Sequence, residues 1–139
     1  MKKHNTVGMD LGDRWSQVHV LDVEGEFAEE GRVAMTATAI RNKFEAMAPA
    51  VVALEAGGQS AWVSRLLEEM GHEVLVANPA RVALIHSSKN KSDRRDAQTL
   101  AMLAHANPKL LFTIRHRGPD AQAALQVVRS RDALVQTRT

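Results

Sequence analysis

Two short apolar runs, Val7-Gly8-Met9 and Val51-Val52-Ala53-Leu54, each end on a carboxylate, Asp10 and Glu55, with glycine close behind at Gly12 and at Gly57-Gly58. Apolar runs of this length, separated by stretches of helical period, read as buried strands of an α/β sheet rather than as long helices. Both acids then stand at strand ends. In open α/β sheets that edge is where ligands bind, and carboxylates gathered there are costly unless a cation neutralises them.

The rest of the chain fits around those two strands. Thr6 to Leu11 reads as a buried strand, and Ser16 to Leu21 alternates polar and apolar residues as a half-exposed partner does, so a hairpin is expected. Asp22 to Glu26 is a turn, and Glu30 to Met35 can return as a third strand. Helical spacing follows from Thr38 to Met47, ended by Pro49, then a fourth strand from Val51 to Glu55. Ser60 is placed to cap a helix with Trp62, Val63, Leu66, Leu67 and Met70 on one face, terminated by Gly71. His72 to Ala77 is a fifth strand, closed by Asn78-Pro79, with a short amphipathic segment from Ala80 to Ile85 and a polar stretch to Lys91. Ser92 can cap a helix running from Asp93 to about His105, with Pro108 beyond it. A basic connector, Thr113 to Pro119, leads into a last helical pattern from Asp120 with Leu125, Val128, Leu134 and Val135 on one face. The order β-β-β-α-β-α-β-α, followed by a C-terminal helix, matches a ribonuclease-H-like mixed sheet by fold-level analogy.

Composition narrows the chemistry. The 139 residues, 45% of them hydrophobic, suffice for one ordinary domain. Without cysteine the chain can form no disulfide, zinc–thiolate site or cysteine nucleophile, so any metal must be held by oxygen or imidazole, which favours Mg2+ or Mn2+. No apolar stretch approaches a signal-peptide core or membrane helix, so a cytoplasmic protein with no membrane partner is expected. Residues 1–70 carry 7 Lys and Arg against 11 Asp and Glu, a balance of −4, whereas residues 71–139 carry 11 against 5, a balance of +6. An acidic half beside a basic half suits a polyanion lying across a metal centre; a solvated basic helix face explains the same asymmetry equally well.

Phosphodiester chemistry needs an activated nucleophile, a stabilised leaving oxygen and neutralised phosphoryl charge, which divalent ions held by three or four carboxylates can supply. Asp93 and Asp96 fall at i and i+3 of the late helix and so share a face. Each acid also has a plainer reading. Asp10 can open a tight turn with Gly12 at positive φ, and Asp93 and Asp96 gain from the helix dipole in a first turn whatever else they do. Glu55 is harder to explain that way, because glutamate is disfavoured in a buried strand. Lys89, Lys91, Arg94, Arg95, Arg115 and Arg117 are candidates for nucleic-acid phosphates or for charge balance with the acids. The six histidines show no metal-ligand spacing, with His19 and His72 read as ordinary surface or core residues. Trp15 and Trp62 read as core or rim packing, and with no tyrosine and 4% aromatics a base-stacking platform is not expected.

Val7-Gly8-Met9-Asp10-Leu11-Gly12, Leu54-Glu55-Ala56-Gly57-Gly58, Asn78-Pro79 and above all Lys91-Ser92-Asp93-Arg94-Arg95-Asp96-Ala97 together resemble the N-terminal domain of the DEDD transposases of the one-ten type of bacterial insertion sequence, related to the Piv and MooV invertases. The resemblance spans nearly the whole chain. It implies a RuvC-like fold at residues 1–112 followed by a connector and the start of a helical, coiled region at 113–139. It also implies a divalent-metal site of Asp10, Glu55, Asp93 and Asp96 as catalytic ligands, DNA as substrate, a structured guide RNA and a homo-oligomer. Family members continue into a domain bearing a catalytic serine, so this chain, stopping at Thr139, is expected to be the N-terminal part and not to recombine DNA unaided. Two other readings remain at this stage: a catalytically silent nucleic-acid-binding or self-associating relic, and a nucleotide-binding fragment of the actin and sugar-kinase type, whose first strand also carries an Asp-x-Gly loop.

Overall fold

The computed structural model describes residues 4–85 and 93–116, with backbone alone at 83–85 and 93–95. Five strands, β1 (Thr6–Leu11), β2 (Trp15–Leu21), β3 (Phe27–Ala34), β4 (Val51–Glu55) and β5 (Glu73–Ala77), form one sheet in the order β3-β2-β1-β4-β5. The first three make an antiparallel meander, and β4 and β5 lie parallel to β1. The α-helices among the described residues are α1 (Ala37–Glu45), α2 (Ser60–Glu69), α3 (Pro79–Ile85) and α4 (Asp93–Ala106), with a 3-10 turn at Pro108–Leu111. This is the mixed α/β architecture expected from the sequence.

Two cores sandwich the sheet. Val7 and Met9, Val18 and Val20, and Val52 and Leu54 point to one face, where Ile40 and Phe44 of α1 and Val63, Leu66 and Leu67 of α2 cover them. On the other face Ala53 and Ala77 meet Val82, Leu100, Ala104 and Leu111. The small residues there have a purpose. Gly8 at the centre of β1 lies directly beneath α4, and a Cβ on it would run into the Ala97 carbonyl oxygen and stand 2.7 Å from the Ala101 nitrogen. Removing the side chain lets the helix backbone settle against the central strand.

The direction of α4 follows from its neighbours. Ala104 in its last turn, and Pro108 just beyond its end, line a hollow with Thr6, Val51 and Glu73, the amino ends of the three parallel strands. Its amino end therefore points toward their carboxyl ends. From Gly8 to Asp10 is roughly 6.6 Å of strand, and from Ala97 back to Asp93 is roughly 6 Å of helix, so the first turn of α4 comes level with Asp10.

Several local expectations shift. The third strand starts at Phe27, earlier than Glu30, because the Asp22 to Glu26 turn is tight: the Asp22 carboxylate accepts from the Glu24 and Glu26 amides at 2.9 and 3.0 Å. The first helix begins at Ala37, with Thr36 rather than a later residue capping it through a 3.1 Å bond from the Ala39 amide. Ser60 is not the N-cap of α2 but its first residue. Gln59 occupies the cap without a side-chain bond, and the Ser60 hydroxyl instead accepts from Gly57 N–H at 3.0 Å. Gly71 ends α2 as expected, its amide donating to Glu68. Ser92 and the helix expected from Asp120 lie outside the described residues.

Candidate functional site

Register partners in a sheet share a face, so alternation decides which side chains meet. With Val7, Met9, Val52 and Leu54 committed to the α1 and α2 side, Gly8, Asp10, Ala53 and Glu55 belong to the α4 side. Met9 pairs with Leu54, and one step further along the parallel pair Asp10 comes beside Glu55, with roughly 4.8 Å between their strands. Asp10 also pairs with Gln17, Gln17 with Arg32, and Glu55 with Ala77. A single row, Arg32, Gln17, Asp10, Glu55, Ala77, thus crosses all five strands at the carboxyl edge of the parallel set.

The position has a topological cause. After β1 the chain goes to one side to build β2 and β3, then crosses over to build β4 and β5 on the other. Where connections diverge from adjacent parallel strands, the loops part and leave a crevice. Here the crevice lies between β1 and β4, and a cleft of about 250 Å³ is lined by Asp10, Leu11, Gly12, Asp13, Glu55, Ala56, Gly57, Gly58 and Gln59. Asp10 and Glu55 are both half-buried.

The rim is tied from both sides. Gly12 N–H donates to the Trp15 carbonyl at 3.0 Å, closing the β1–β2 turn. Glycine is needed because a Cβ would stand 2.6 Å from that oxygen, and not for a positive φ, which Gly12 does not adopt. Gln59 Nε2 donates to the Gly12 carbonyl at 3.0 Å, while Gln59 Oε1 accepts from the Trp62 indole at 3.1 Å. One amide therefore joins the loop behind Asp10 to the helix behind Glu55. The Ser60 hydroxyl, fully buried, lies 2.9 Å from His116 Nε2 and bonds Gly57 in addition. Gln59→Ala is expected to cost about 1 kcal/mol, the net worth of such bonds, and to speed amide exchange at Gly12, Asp13 and Gly57. Unchanged exchange at those amides would show that Gln59 is not the tie.

Sequence reasoning did not single out Gln17, Gln59 or Asp13. Alternation along β2 could have placed Gln17 on the face of Asp10; nothing local marks Gln59, whose partners lie far away in the chain.

The remaining expected site residues divide. Asp96 is half-buried on α4, directly before Ala97, which packs on the sheet. Asp93 is the first residue of α4, one turn before Ala97, and its side chain lies outside the described residues, as do those of Arg94 and Arg95. Lys89, Lys91 and Arg117 lie outside them altogether. Arg115 is exposed at the β5 edge, where Ile114 bridges Val76, and it lines a cavity of about 700 Å³ with Arg65, Glu68 and Glu73 rather than the carboxylate cleft. Among the described residues no three His, Asp or Glu side chains cluster closely enough to hold an ion. What the described residues do offer is two strand-end carboxylates opening on one cleft, an all-oxygen donor pair of the kind Mg2+ or Mn2+ takes, and space there for further ligands or water. No helix among them is long and apolar enough to cross a membrane.

Residues 7–139 match the family model of the IS110-type DEDD transposases, described as a transposase. The chain belongs to that family. Individual members are similar in the same way: a Sinorhizobium fredii protein named as transposase y4pF/y4sB is 38% identical over 96 residues, 69% of this chain. A family 20 transposase of Pseudomonas aeruginosa is 29% identical over 133 residues, 96% of this chain. The matches cover 24% and 38% of those relatives, so this DEDD transposase chain spans well under half their length. Among solved structures, Thermus thermophilus RuvC bound to a Holliday junction superposes with a TM-score of 0.57 at 14% identity, covering 76% of this chain and 98% of that one. A second Thermus thermophilus RuvC structure gives 0.54 at 17% identity, covering 74% and 96%. The DEDD transposase chain thus has the RuvC-like, ribonuclease-H-like fold.

Proposed function

We propose that this chain is the carboxylate-bearing catalytic domain of a metal-dependent DNA transposase, acting on phosphodiester bonds at the cleft between β1 and β4. The observation that carries the reading is the pairing of Asp10 and Glu55 at the strand crossover, level with the first turn of α4. Asp10 and Glu55 would hold the ion from the sheet, and Asp93 and Asp96 from α4. A divalent ion bound there supplies neutralisation of phosphoryl charge and a water of lowered pKa. The chain's own contribution is placement. Rigid strand ends fix two ligands, Gln59 keeps the two loops behind them in register, and the all-oxygen set excludes softer metals.

The basic residues on either side of the acids in sequence, Lys89, Lys91, Arg94, Arg95, Arg115 and Arg117, supply the phosphate-backbone contacts of this reading. Residues 1–112 are the catalytic domain in it and 113–139 the connector toward the remainder of a longer transposase. The structured guide RNA, the oligomer and the cytoplasmic location suggested by the family resemblance belong to the same proposal.

The test is metal-linked stability. Unfolding is followed in EDTA, Mg2+ and Mn2+ for the parent, Asp10→Asn and Glu55→Gln. At ten times Kd the ion is expected to stabilise the parent by about 1.4 kcal/mol through mass action, and both substitutions should remove the rise. A rise that persists undiminished in both variants would rule out this site.

A further inference from the structure

The row that contains the two acids also contains Arg32, two strands away and roughly 10 Å from Asp10 at sheet spacing. Trp15 opens β2 on the same face, because Ser16, Val18 and Val20 are the positions turned to the other side or buried there. The residue is 45% exposed, and the Arg32 guanidinium lies over its ring, 4.2 Å from the centre. A tryptophan left this exposed forgoes much of the burial that usually justifies so large a side chain.

Its surroundings are built rather than loose. The Trp15 carbonyl accepts from Gly12 N–H, whose residue lines the cleft, and the Arg14 carbonyl accepts from Met35 N–H at 2.8 Å. The charges nearby are also sorted. On β3, Glu29 pairs with Lys43 and Glu30 lies 3.5 Å from His19 Nδ1, whereas among the described residues no carboxylate engages the Arg32 guanidinium. Arg14, next to Trp15, is exposed as well. An aromatic face, a guanidinium stacked on it and a second arginine alongside are the parts that hold unpaired nucleotides: bases stack on the ring and the guanidinium takes a phosphate.

We propose that Trp15, Arg32 and Arg14 form a platform for an unpaired stretch of the DNA strand leaving the carboxylate cleft. At the 3.4 Å rise of a stacked strand, roughly 10 Å places the platform about three nucleotides from the reacting phosphate. The proposal rests on the transposase reading for its substrate, and it revises the expectation that an aromatic-poor chain lacks a stacking surface, since one exposed indole beside the site suffices.

The experiment titrates the intact chain with a fluorescein-labelled 20-mer of thymidylate, an equal-length duplex and an oligouridylate, reading anisotropy, and with the unlabelled 20-mer, reading tryptophan fluorescence. The thymidylate should quench the parent, and Trp15→Phe should lose that quenching while keeping most of the affinity. Trp15→Ala should weaken single-strand binding at least fivefold, the lower end of one stacked base, and duplex binding far less. Arg32→Ala should weaken it too and reduce the salt slope by about 0.7, one phosphate on a single strand. Trp15 is exposed, so these variants should melt as the parent does. Full affinity in both alanine variants, quenching that survives Trp15→Phe, or equal losses on duplex would overturn the platform while leaving the metal-linked stability of Asp10 and Glu55 intact. Tighter Trp15-dependent binding of oligouridylate would overturn the choice of DNA. A parent that binds no nucleic acid would overturn the platform and the transposase reading together.

Discussion

Gly8→Ala is expected to destabilise the chain by about 3 kcal/mol, the upper end of overpacking costs, and to abolish metal-linked stabilisation. In most strands the same change would help slightly, because alanine loses less backbone entropy than glycine on folding. The sign reverses here because the obstacle is backbone: the added carbon meets the Ala97 carbonyl and comes within 2.9 Å of its carbon and 2.7 Å of the Ala101 nitrogen. A helix backbone cannot turn aside as a flexible side chain can, so α4 must lift. On the proposed metal site, lifting it would draw the first turn of α4 away from Asp10 and Glu55, so stability and metal response should fail together. Gly31→Ala is the control: it sits on the exposed edge strand β3 with no atom within 4 Å of a built Cβ, and it should be neutral or stabilising by about 0.4–1 kcal/mol. Chemical denaturation of both variants decides the matter, and a Gly8→Ala chain as stable as Gly31→Ala would show that α4 does not rest on β1.

How far the sequence discloses this arrangement depends on the range of the interaction. Strands β1, β4 and β5 are legible because they are short apolar runs with clear stops, and the acids at two of the ends are legible for the same reason. Gly8 looks like any glycine in a strand. Only the packing of α4 across β1, a contact between residues nearly ninety apart, makes it indispensable. The row from Arg32 to Ala77 is likewise a product of register: alternation gives each strand two faces, but which residues align across strands depends on turn lengths and a bulge near Val20 that no local pattern reports. Ser60 misleads in the opposite way. Serine before an apolar helical pattern is a good capping signal, yet its hydroxyl binds Gly57 and His116 from the first helical position, because the chain entering α2 turns sharply after Glu55. The exposure of Trp15 is likewise a product of the fold, since a low aromatic fraction says nothing about where a given indole stands.

His72 marks the second large expected effect, and it concerns the scaffold rather than the site. The ring is 4% exposed at the start of β5, edge-on to Phe44 with centroids 5.6 Å apart. Nδ1 accepts from Ala50 N–H at 3.0 Å, which leaves Nε2 as the protonated nitrogen, donating to the Phe44 carbonyl at 2.9 Å. One imidazole therefore ties the end of α1, whose Phe44 carbonyl also accepts from Met47 N–H, to the residue leading into β4, where it is the acceptor for the Ala50 amide. His72→Ala should cost about 3 kcal/mol: the buried Ala50 N–H loses its acceptor, which costs on the order of 1–3 kcal/mol, and a cavity is added, while the Phe44 carbonyl keeps its bond from Met47 N–H. His72→Phe separates the two causes. It restores the volume but neither bond, so if hydrogen bonding dominates it should remain about 2 kcal/mol below the parent, whereas recovery of parental stability would make His72 a packing residue only. His72→Asn offers one acceptor and one donor on a shorter reach and should fall between parent and Phe. Because none of the three touches the cleft, the increment in stability from Mg2+ should be unchanged in each, which sets His72 apart from Gly8, where fold and site are lost in the same step.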